Sequence, residues 1–376
     1  MKQVESVELP GTACGTTRAL RIVTWRGGAG PRAYLQAALH ADEVPPLLVA
    51  HHLERELDAL DAQQAILGEV VLVPFANPLG LDQFIGGSHL GRFDLDSGAN
   101  FNRGYPQLAA ALAARLDGRL DADLHANGAL LRDELAALLH ETQPRATLRA
   151  LQHALYARAI GCDLVLDLHC DFEAELHLYL PAAHWPTAAD LAAALDARVV
   201  LLTDDSGGAA FDEACGNLYA ELARRFPMHP LPRPLAATVE LRGERDVDDA
   251  LARQDAQGLL RFLAARGVLA ADAPPPADGR TGETLATPLE AVDVVHAPAT
   301  GVIVYERALG EVIGAGEAIG SIVVPGAAQR VPLRARSAGR LFARRGQRWA
   351  RAGQMVAKIA GREPLPWRHS GALLYD

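Results

Sequence analysis

The chain has 376 residues, 49% of them hydrophobic, which is enough for a large core and for more than one domain. Its formal net charge of -10 and sequence pI of about 5.7 argue against nucleic acid or an anionic membrane as partner, because those partners need a basic surface. Only Lys2 and Lys358 are lysines, so lysine chemistry is not expected in the active site.

The start of the chain, MKQVESVELPG, lacks an apolar signal core, and no apolar run approaches the roughly 18 residues needed to span a bilayer. The cysteines show no paired spacing and favour a reducing compartment; they are Cys14, Cys162, Cys170 and Cys215. We therefore expect a cytoplasmic protein. The sequence leaves its oligomeric state open, a homo-oligomer included.

The stretch Ala33–Pro46 predicts a strand, a tight loop and a helix. The apolar run stops at His40, Glu43 follows three residues later, and a pair of prolines begins the helix. At the carboxyl edge of an α/β sheet both side chains can face one cleft. Imidazole and carboxylate are zinc ligands, and a catalytic zinc takes three protein ligands. A lone His-x-x-Glu often occurs by chance, so this interpretation needs a third ligand from elsewhere.

Two further strand-like runs carry candidate residues. Asp163–His169 delivers His169 at the end of a strand, which would complete a His₂Glu site. Thr238–Arg242 holds Glu240 inside a β-branched run. Between these and the first stretch lies a loop rich in glycine and aspartate that carries Arg92, and such loops often hold binding groups.

Two competing interpretations are weak. The spacing Gly28-x-Gly30 imitates a dinucleotide-binding turn, but Pro31 and a strand follow where the phosphate-binding helix should begin. Cys170 stands next to His169, yet a free cysteine after a strand is more often a small buried residue than a ligand.

The order of these residues along the chain resembles that of the succinylglutamate desuccinylase/aspartoacylase family, relatives of the zinc carboxypeptidases. The resemblance covers roughly residues 20 to 265. The residues that carry it are His40, Glu43, Arg92, Asn102, Arg103, Pro106, Asp167, His169, Val239 and Glu240.

The resemblance implies an α/β fold with a zinc-carboxypeptidase-like mixed sheet and helices on both faces. It also implies a zinc-dependent amidohydrolase that acts on a small N-acyl amino acid and binds one Zn²⁺ per chain. The implied ligands are His40, Glu43 and His169. Asp167, two residues before His169 on the same strand face, would orient that ligand.

By the same resemblance, Glu240 is the general base and Arg92 stabilises the charge on the carbonyl oxygen. Asn102 and Arg103 would bind the substrate carboxylate. For Glu240 the alternative is an ion pair with Arg242 or Arg245. For Arg103 the alternative is an ion pair with Asp94 or Asp96 in its own loop.

Two other functions stay open on the sequence. A metallocarboxypeptidase would keep the zinc and the base but needs a catalytic tyrosine, for which Tyr105, Tyr179 and Tyr305 are candidates without an assigned place. A non-catalytic binding protein on the same fold is the other possibility, and it is disfavoured because every chemical position is filled. The acyl group and the amino acid are not determined by the sequence.

The stretch from Leu108 to Ile160 has helical periodicity, with predicted breaks at Asn127-Gly128 and at Pro144. After His169, the alternation in Glu175–Leu180 predicts a strand with His177 and Tyr179 on one face.

Ala271–Gly282 has the composition of a linker. It divides the chain into a predicted catalytic α/β domain, residues 1–270, and an all-β domain, residues 283–376. The second domain contains two similar halves and resembles a biotinyl/lipoyl-type barrel-sandwich. A carrier would need a lysine in the hairpin between the halves, and Pro325–Arg330 has none, so we expect a packing or lid role over the cleft.

Overall fold

The structure is a computed structural model that describes residues 1–11, 13–271, 283–371 and 373. Its strands, in chain order, are β1 Lys2–Glu8, β2 Ala19–Arg26, β3 Arg32–Ala37, β4 Glu69–Val73, β5 Phe84–Ile85, β6 Ser88–His89, β7 Leu164–Asp171, β8 Glu173–Ala174, β9 His177–Leu180, β10 Val199–Leu202, β11 Leu235–Gly243, β12 Leu285–Pro288, β13 Val292–His296, β14 Gly301–Tyr305, β15 Val312–Ile313, β16 Ala318–Val323, β17 Val331–Arg334, β18 Gly339–Arg344, β19 Trp349–Ala350 and β20 Met355–Ala360.

The α-helices are α1 Pro45–Ala62, α2 Pro78–Leu81, α3 Ala109–Leu116, α4 Leu124–Glu141, α5 Thr147–Ala159, α6 Ala189–Leu195, α7 Phe211–Arg225 and α8 Asp249–Ala265. In the described ranges, none of them is long and apolar enough to cross a membrane. The four cysteines are free thiols, of which Cys14 is exposed and the other three are buried.

A nine-stranded sheet organises the molecule, in the order β1-β2-β4-β3-β7-β11-β9-β10-β12. Its centre is parallel, because β4, β3, β7 and β11 run in the same direction. The pairs β1–β2, β2–β4 and β11–β9 are antiparallel. The sheet is therefore mixed, as the sequence predicted.

Helices cover both faces of this sheet, which confirms the predicted fold class. On one face α1, α6 and α8 bury leucines such as Leu53, Leu191 and Leu259 against the strands. On the other face α3, α4, α5 and α7 do the same with Leu112, Leu131, Leu151 and Leu218. Central strands that are buried on both faces are nearly continuous apolar runs, and this is why the sequence marked them clearly.

The rest of the described chain forms a β-rich unit, which we call the C-terminal β unit (Val292–Ala360). One of its sheets runs β13-β20-β18-β15, with β8 added beside β18, and the other runs β17-β16-β14-β19. Apolar residues of both sheets, such as Ile313, Leu341 and Val356, form its core. The predicted linker lies outside the described residues except for Ala271.

Strand pairing crosses the predicted linker in both directions. β12 follows the linker in the chain but pairs in parallel with β10 in the large sheet. Conversely, β8 comes from the N-terminal part of the chain and pairs with β18 of the C-terminal β unit. The two-domain division remains a prediction, and the two parts exchange one strand each.

Two local predictions were wrong. The first strand of the site ends at Ala37 rather than His40, because Ala38 adopts a positive φ of 56° and turns the chain. The Asn127-Gly128 pair does not break a helix but lies inside α4. Asn127 is buried there and donates to the carbonyls of Asp121 and Pro230, so its polar side chain ties loops to the helix. The predicted break at Pro144 is confirmed.

Candidate active site

Three neighbouring parallel strands bring the candidate residues to one edge of the sheet. β3 is followed by the loop with His40 and Glu43, β7 ends with His169 near its terminus, and β11 carries Glu240. Because the strands pair in the order β3-β7-β11 and point the same way, their carboxyl ends meet. His169 and Glu240 are direct cross-strand partners.

The loop with Arg92 packs directly on the loop with His40. The backbone N–H of Ala41 donates to the carbonyl of Gly91. A Cβ atom on Gly91 would lie only 2.2 Å from the backbone nitrogen of Asp42, so only glycine allows this approach. The close contact places Arg92, the next residue, beside the candidate ligands.

His40, Glu43 and His169 form one buried cluster. Nδ1 of His40 lies 2.8 Å from Oε1 of Glu43, and Nδ1 of His169 lies 2.9 Å from Oε2 of the same carboxylate. One donor atom from each residue lies within 4.8 Å of the others. The three residues are 3%, 8% and 2% exposed. Two imidazoles and a carboxylate are the donor set of a catalytic zinc, so the residues fit this metal.

Each histidine has an outer polar partner beside its other nitrogen. Nε2 of His40 lies 2.9 Å from Oδ1 of Asn100, and Nε2 of His169 lies 2.9 Å from Oδ2 of Asp167. Gln36 in turn donates from Nε2 to Oδ1 of Asp167. Such partners fix the ring orientation and leave Nδ1 for the metal. The Asp167 contact was predicted from the sequence, whereas Asn100 was missed although it lies in the loop already singled out.

The electrostatics of the cluster favour positive charge at its centre. Burial would raise the pKa of Glu43, but His169 and His40 hold it well below its usual range. Burial would lower the pKa of His169, yet Asp167 and Glu43 raise it well above its usual value. Burial and the charge of Arg92 lower the pKa of His40. The two imidazoles thus offset the effect of burial on Glu43, and a bound dication would act on this carboxylate in the same direction.

Arg92 lies against two of the candidate ligands. Its Nη1 is 3.1 Å from Nδ1 of His40 and 3.2 Å from Oε1 of Glu43. The side chain remains 39% exposed, so the guanidinium borders both the cluster and the solvent. Its catalytic role stays a prediction.

Glu240, the candidate base, lies beside His169 on the neighbouring strand. Its neighbours across the sheet are His169 on β7 and His177 on β9, and its Oε2 atom is buried without a hydrogen-bond partner in the described structure. Burial, with a further contribution from the charge of Glu43, raises the pKa of Glu240 to about 8. The alternative ion pair is not formed with Arg242, because that guanidinium binds Asp255 through two bonds of 2.7 and 2.6 Å.

Asn102 and Arg103 lie in the loop that faces the start of α7. Oδ1 of Asn102 accepts the backbone N–H of Phe211 at 2.8 Å, so this oxygen fixes the helix start. Nη1 of Arg103 donates to the carbonyl of Asn102 at 2.7 Å, and its stem packs on Gly208. Within the described ranges neither Asp94 nor Asp96 pairs with it. The role of Asn102 and Arg103 in substrate binding remains a prediction.

Lys358 was excluded on composition and borders the site nevertheless. Its ammonium nitrogen lies 2.5 Å from Oδ2 of Asp171, two residues beyond His169. One feature of the sequence indicated that this residue is special, namely that it is one of only two lysines among 36 basic residues.

The fold and site together define an α/β protein with a candidate metal centre at the carboxyl edge of a mixed sheet. A model of the succinylglutamate desuccinylase/aspartoacylase catalytic domain matches residues 29–266. The chain belongs to the succinylglutamate desuccinylase/aspartoacylase family, a family of deacylases. None of the curated proteins compared with the sequence matches it.

Solved structures support the family over nearly the whole chain. A succinylglutamate desuccinylase/aspartoacylase family protein from Shewanella amazonensis SB2B is 28% identical, with a TM-score of 0.82 over 95% of this chain and 98% of that one. A similar protein from Shewanella frigidimarina NCIMB 400 is 27% identical, with a TM-score of 0.81 over 96% and 97%. The ectoine utilization protein EutE (DoeB) from Ruegeria pomeroyi, in a product-bound structure, shares the fold at 19% identity, with a TM-score of 0.64 over 96% and 95%.

Proposed function

We propose that the protein is a zinc-dependent amidohydrolase that cleaves the amide bond of a small N-acyl amino acid into a carboxylate and a free amine. Substrates of the succinylglutamate, acetylaspartate or acetyl-diaminobutyrate type fit this proposal. The observation that carries it is the buried His40–Glu43–His169 cluster on the same sheet edge as Glu240. The candidate ligands and the candidate base therefore lie next to each other, and the chain belongs to a family of deacylases.

One zinc per chain would be held by His40, Glu43 and His169. When bound, zinc would polarise the scissile carbonyl and supply hydroxide at neutral pH by lowering the pKa of water. Oδ1 of Asn100 accepts a hydrogen bond from a protonated Nε2 of His40, which leaves Nδ1 of that ring free, and the carboxylate of Asp167 beside Nε2 of His169 favours the same tautomer there.

Glu240 handles the proton in this proposal. Its carboxylate accepts a proton from the attacking water, whose oxygen bonds to the carbonyl carbon. The same proton then passes to the leaving nitrogen as the C–N bond breaks, so the amine departs neutral and Glu240 is ionised again. A raised pKa suits this exchange, because a carboxylate whose pKa lies close to the working pH both accepts and returns a proton readily.

Arg92 and the pair Asn102-Arg103 bind the substrate. The half-exposed guanidinium of Arg92 can donate to the carbonyl oxygen as negative charge develops there. Arg103 offers two parallel N–H donors that match the carboxylate of an amino acid. The backbone carbonyl of Asn102 accepts a hydrogen bond from the Arg103 guanidinium, and its side-chain oxygen accepts the N–H of Phe211 at the start of α7, so Asn102 positions this clamp.

The decisive experiment combines metal analysis with a substrate panel. Purified protein should contain about one zinc per chain and should release free amine from at least one N-acyl amino acid, while Glu240→Gln, prepared in parallel, should not. Faster cleavage of short peptides than of any N-acyl amino acid would instead indicate a metallocarboxypeptidase. Binding without turnover on every substrate would indicate a non-catalytic protein.

A further inference from the structure

The strand that carries His169 runs directly into the C-terminal β unit. β7 ends at Asp171, and after one residue the chain forms β8, which pairs with β18. Glu175 then donates its backbone N–H to the carbonyl of Phe342. The segment that follows a candidate metal ligand is thus an edge strand of another sheet, and its position depends on that sheet.

Every second residue of this segment carries an acid that binds a cation of the C-terminal β unit. Asp171 binds Lys358 at 2.5 Å, and Glu175 lies 3.5 Å from Arg340. Glu173 binds both Arg344, at 2.8 Å, and Arg348, at 2.6 Å. We call these contacts the interdomain ion pairs.

The Asp171–Lys358 pair differs from the others in burial. The two side chains are 8% and 15% exposed, whereas the cations of the other pairs are 21% to 40% exposed. Exposed pairs contribute little, but breaking a buried pair leaves an uncompensated charge and is strongly destabilising. This pair also lies nearest to His169 in the chain.

The identity of the buried cation is a second, independent observation. Arginine supplies 34 of the 36 basic residues, and every other interdomain cation is an arginine. An ammonium is a compact point charge that fits where a planar guanidinium does not. A lysine at this one buried position therefore indicates a local requirement rather than general composition.

Lys358 also lies near the base. Its charge acts on Glu240 and on Tyr179, and it opposes the rise that burial causes in the pKa of both groups. His177 is fully buried between the rings of Tyr179 and Phe342, and its Nε2 has no partner in the described structure. The side of Glu240 that faces away from the metal ligands is thus lined by β9 and by the C-terminal β unit.

We infer that Lys358 is a positioning residue of the active site. By binding Asp171 it fixes the end of the strand that carries His169, and so holds this ligand in place beside Glu240. The inference rests on the proposed function for its catalytic consequence and on the metal site for its structural one. The C-terminal β unit, on this view, contributes to metal binding through a single buried ammonium.

The competing interpretation is that Lys358 only stabilises the contact between the two parts of the chain, a role that we call adhesion. Arg340 provides the matched control. Arg340→Met removes another ion pair between the same two parts of the chain. Its partner Glu175 lies four residues farther along the chain from His169 than Asp171 does, and the pair is more exposed. Adhesion predicts similar effects from both variants. Positioning predicts that only Lys358→Met changes the metal site.

The test measures zinc affinity by competition with a chelator and the visible spectrum of the Co²⁺-loaded protein, which reports ligand geometry. Lys358→Met should weaken zinc binding about tenfold, as outer partners of metal ligands typically do, and should shift the cobalt bands. Its kcat should fall with little change in KM. Arg340→Met should keep the affinity within twofold and the wild-type spectrum. Equal results for the two variants would overturn the inference.

If Lys358→Met does not fold, the double variant Asp171→Asn/Lys358→Met replaces it, because it leaves no unpaired buried carboxylate. That variant should fold and keep the tenfold deficit, and wild-type metal affinity in it would overturn the inference. A wild-type protein that hydrolyses no N-acyl amino acid would contradict the proposed function alone, since the metal measurements need no substrate.

Discussion

The two halves of the candidate site are built in different ways. His40, Glu43, Arg92 and Asn100 come from loops within about 60 residues of one another and hold each other by direct contacts. His169 and Glu240 come from two separate strands, and the first of these strands is tied to the C-terminal β unit. We call them the loop half and the strand half. The loop half is held by contacts among nearby residues and by the contact of Glu43 with His169, whereas the strand half also contacts chain that follows almost 190 residues later.

Removing the C-terminal β unit should break this comparison most severely. A chain that ends at Gly282 loses β12 and β18, leaves Asp171 and Glu173 without their cations, and exposes the buried patch of Tyr179 and Val199. We expect no cooperative thermal unfolding transition and no zinc. Calorimetry and metal analysis check this. A truncated protein with the wild-type melting temperature would show that the strand half is stable without the C-terminal β unit.

The C-terminal β unit is not expected to carry a cofactor. Mass spectrometry of the full chain should find no biotin or lipoate on Lys358.

Ligand removal should affect both halves equally. His40→Ala in the loop half and His169→Ala in the strand half should each abolish zinc binding and activity, because two remaining ligands rarely hold zinc tightly. Elemental analysis after dialysis, together with the substrate panel, gives the answer. Stoichiometric zinc in both variants would remove the metal site from the proposal.

The two glutamates should separate binding from catalysis. Glu240→Gln should retain zinc and lose activity by roughly 10²–10⁴-fold, the usual contribution of a general base. Glu43→Gln should lose the metal itself, because its carboxylate contacts both histidines. The same elemental analysis and a kcat measurement decide this. Equal metal loss in both variants would mean that Glu240 is a ligand rather than the base.

Arg103 should give the smallest effect. Arg103→Lys keeps the charge but loses the paired donors, so we expect unchanged zinc and about tenfold weaker use of free-acid substrates. The control is the amide of the same N-acyl amino acid, which should be a poor substrate for wild type and little affected by the substitution. Equal wild-type rates on acid and amide would mean that no carboxylate clamp exists.

Patterns that lie close together in the sequence predicted the strands of the site and the pair His40 and Glu43, but not Asn100. The apolar runs before His40, before His169 and around Glu240 predicted the three strands, because buried parallel strands are almost purely apolar. Their order in the sheet was not predicted. The mixed sheet with helices on both faces followed from the family resemblance and is confirmed.

What the sequence did not predict are contacts made by polar residues across long separations. Lys358 meets Asp171 over 187 residues, and neither lies in a recognisable motif. Asn127 was predicted to break a helix because asparagine and glycine favour turns. It lies inside α4 instead, where its buried side chain makes three hydrogen bonds with the backbone of neighbouring loops. Contacts with residues from other parts of the chain determine the structure at these positions, and a single sequence does not show which residues come into contact.

The exchange of strands between the two parts of the chain has a consequence for biosynthesis. The strand β8 leaves the ribosome about 170 residues before its partner β18, which at 5–20 residues per second is a delay of roughly 10–30 seconds. Throughout this interval the nascent chain carries an open sheet edge and a row of carboxylates beside an unfinished metal site. If the proposed metal site depends on this pairing, metal would bind only after the C-terminal β unit has been synthesised.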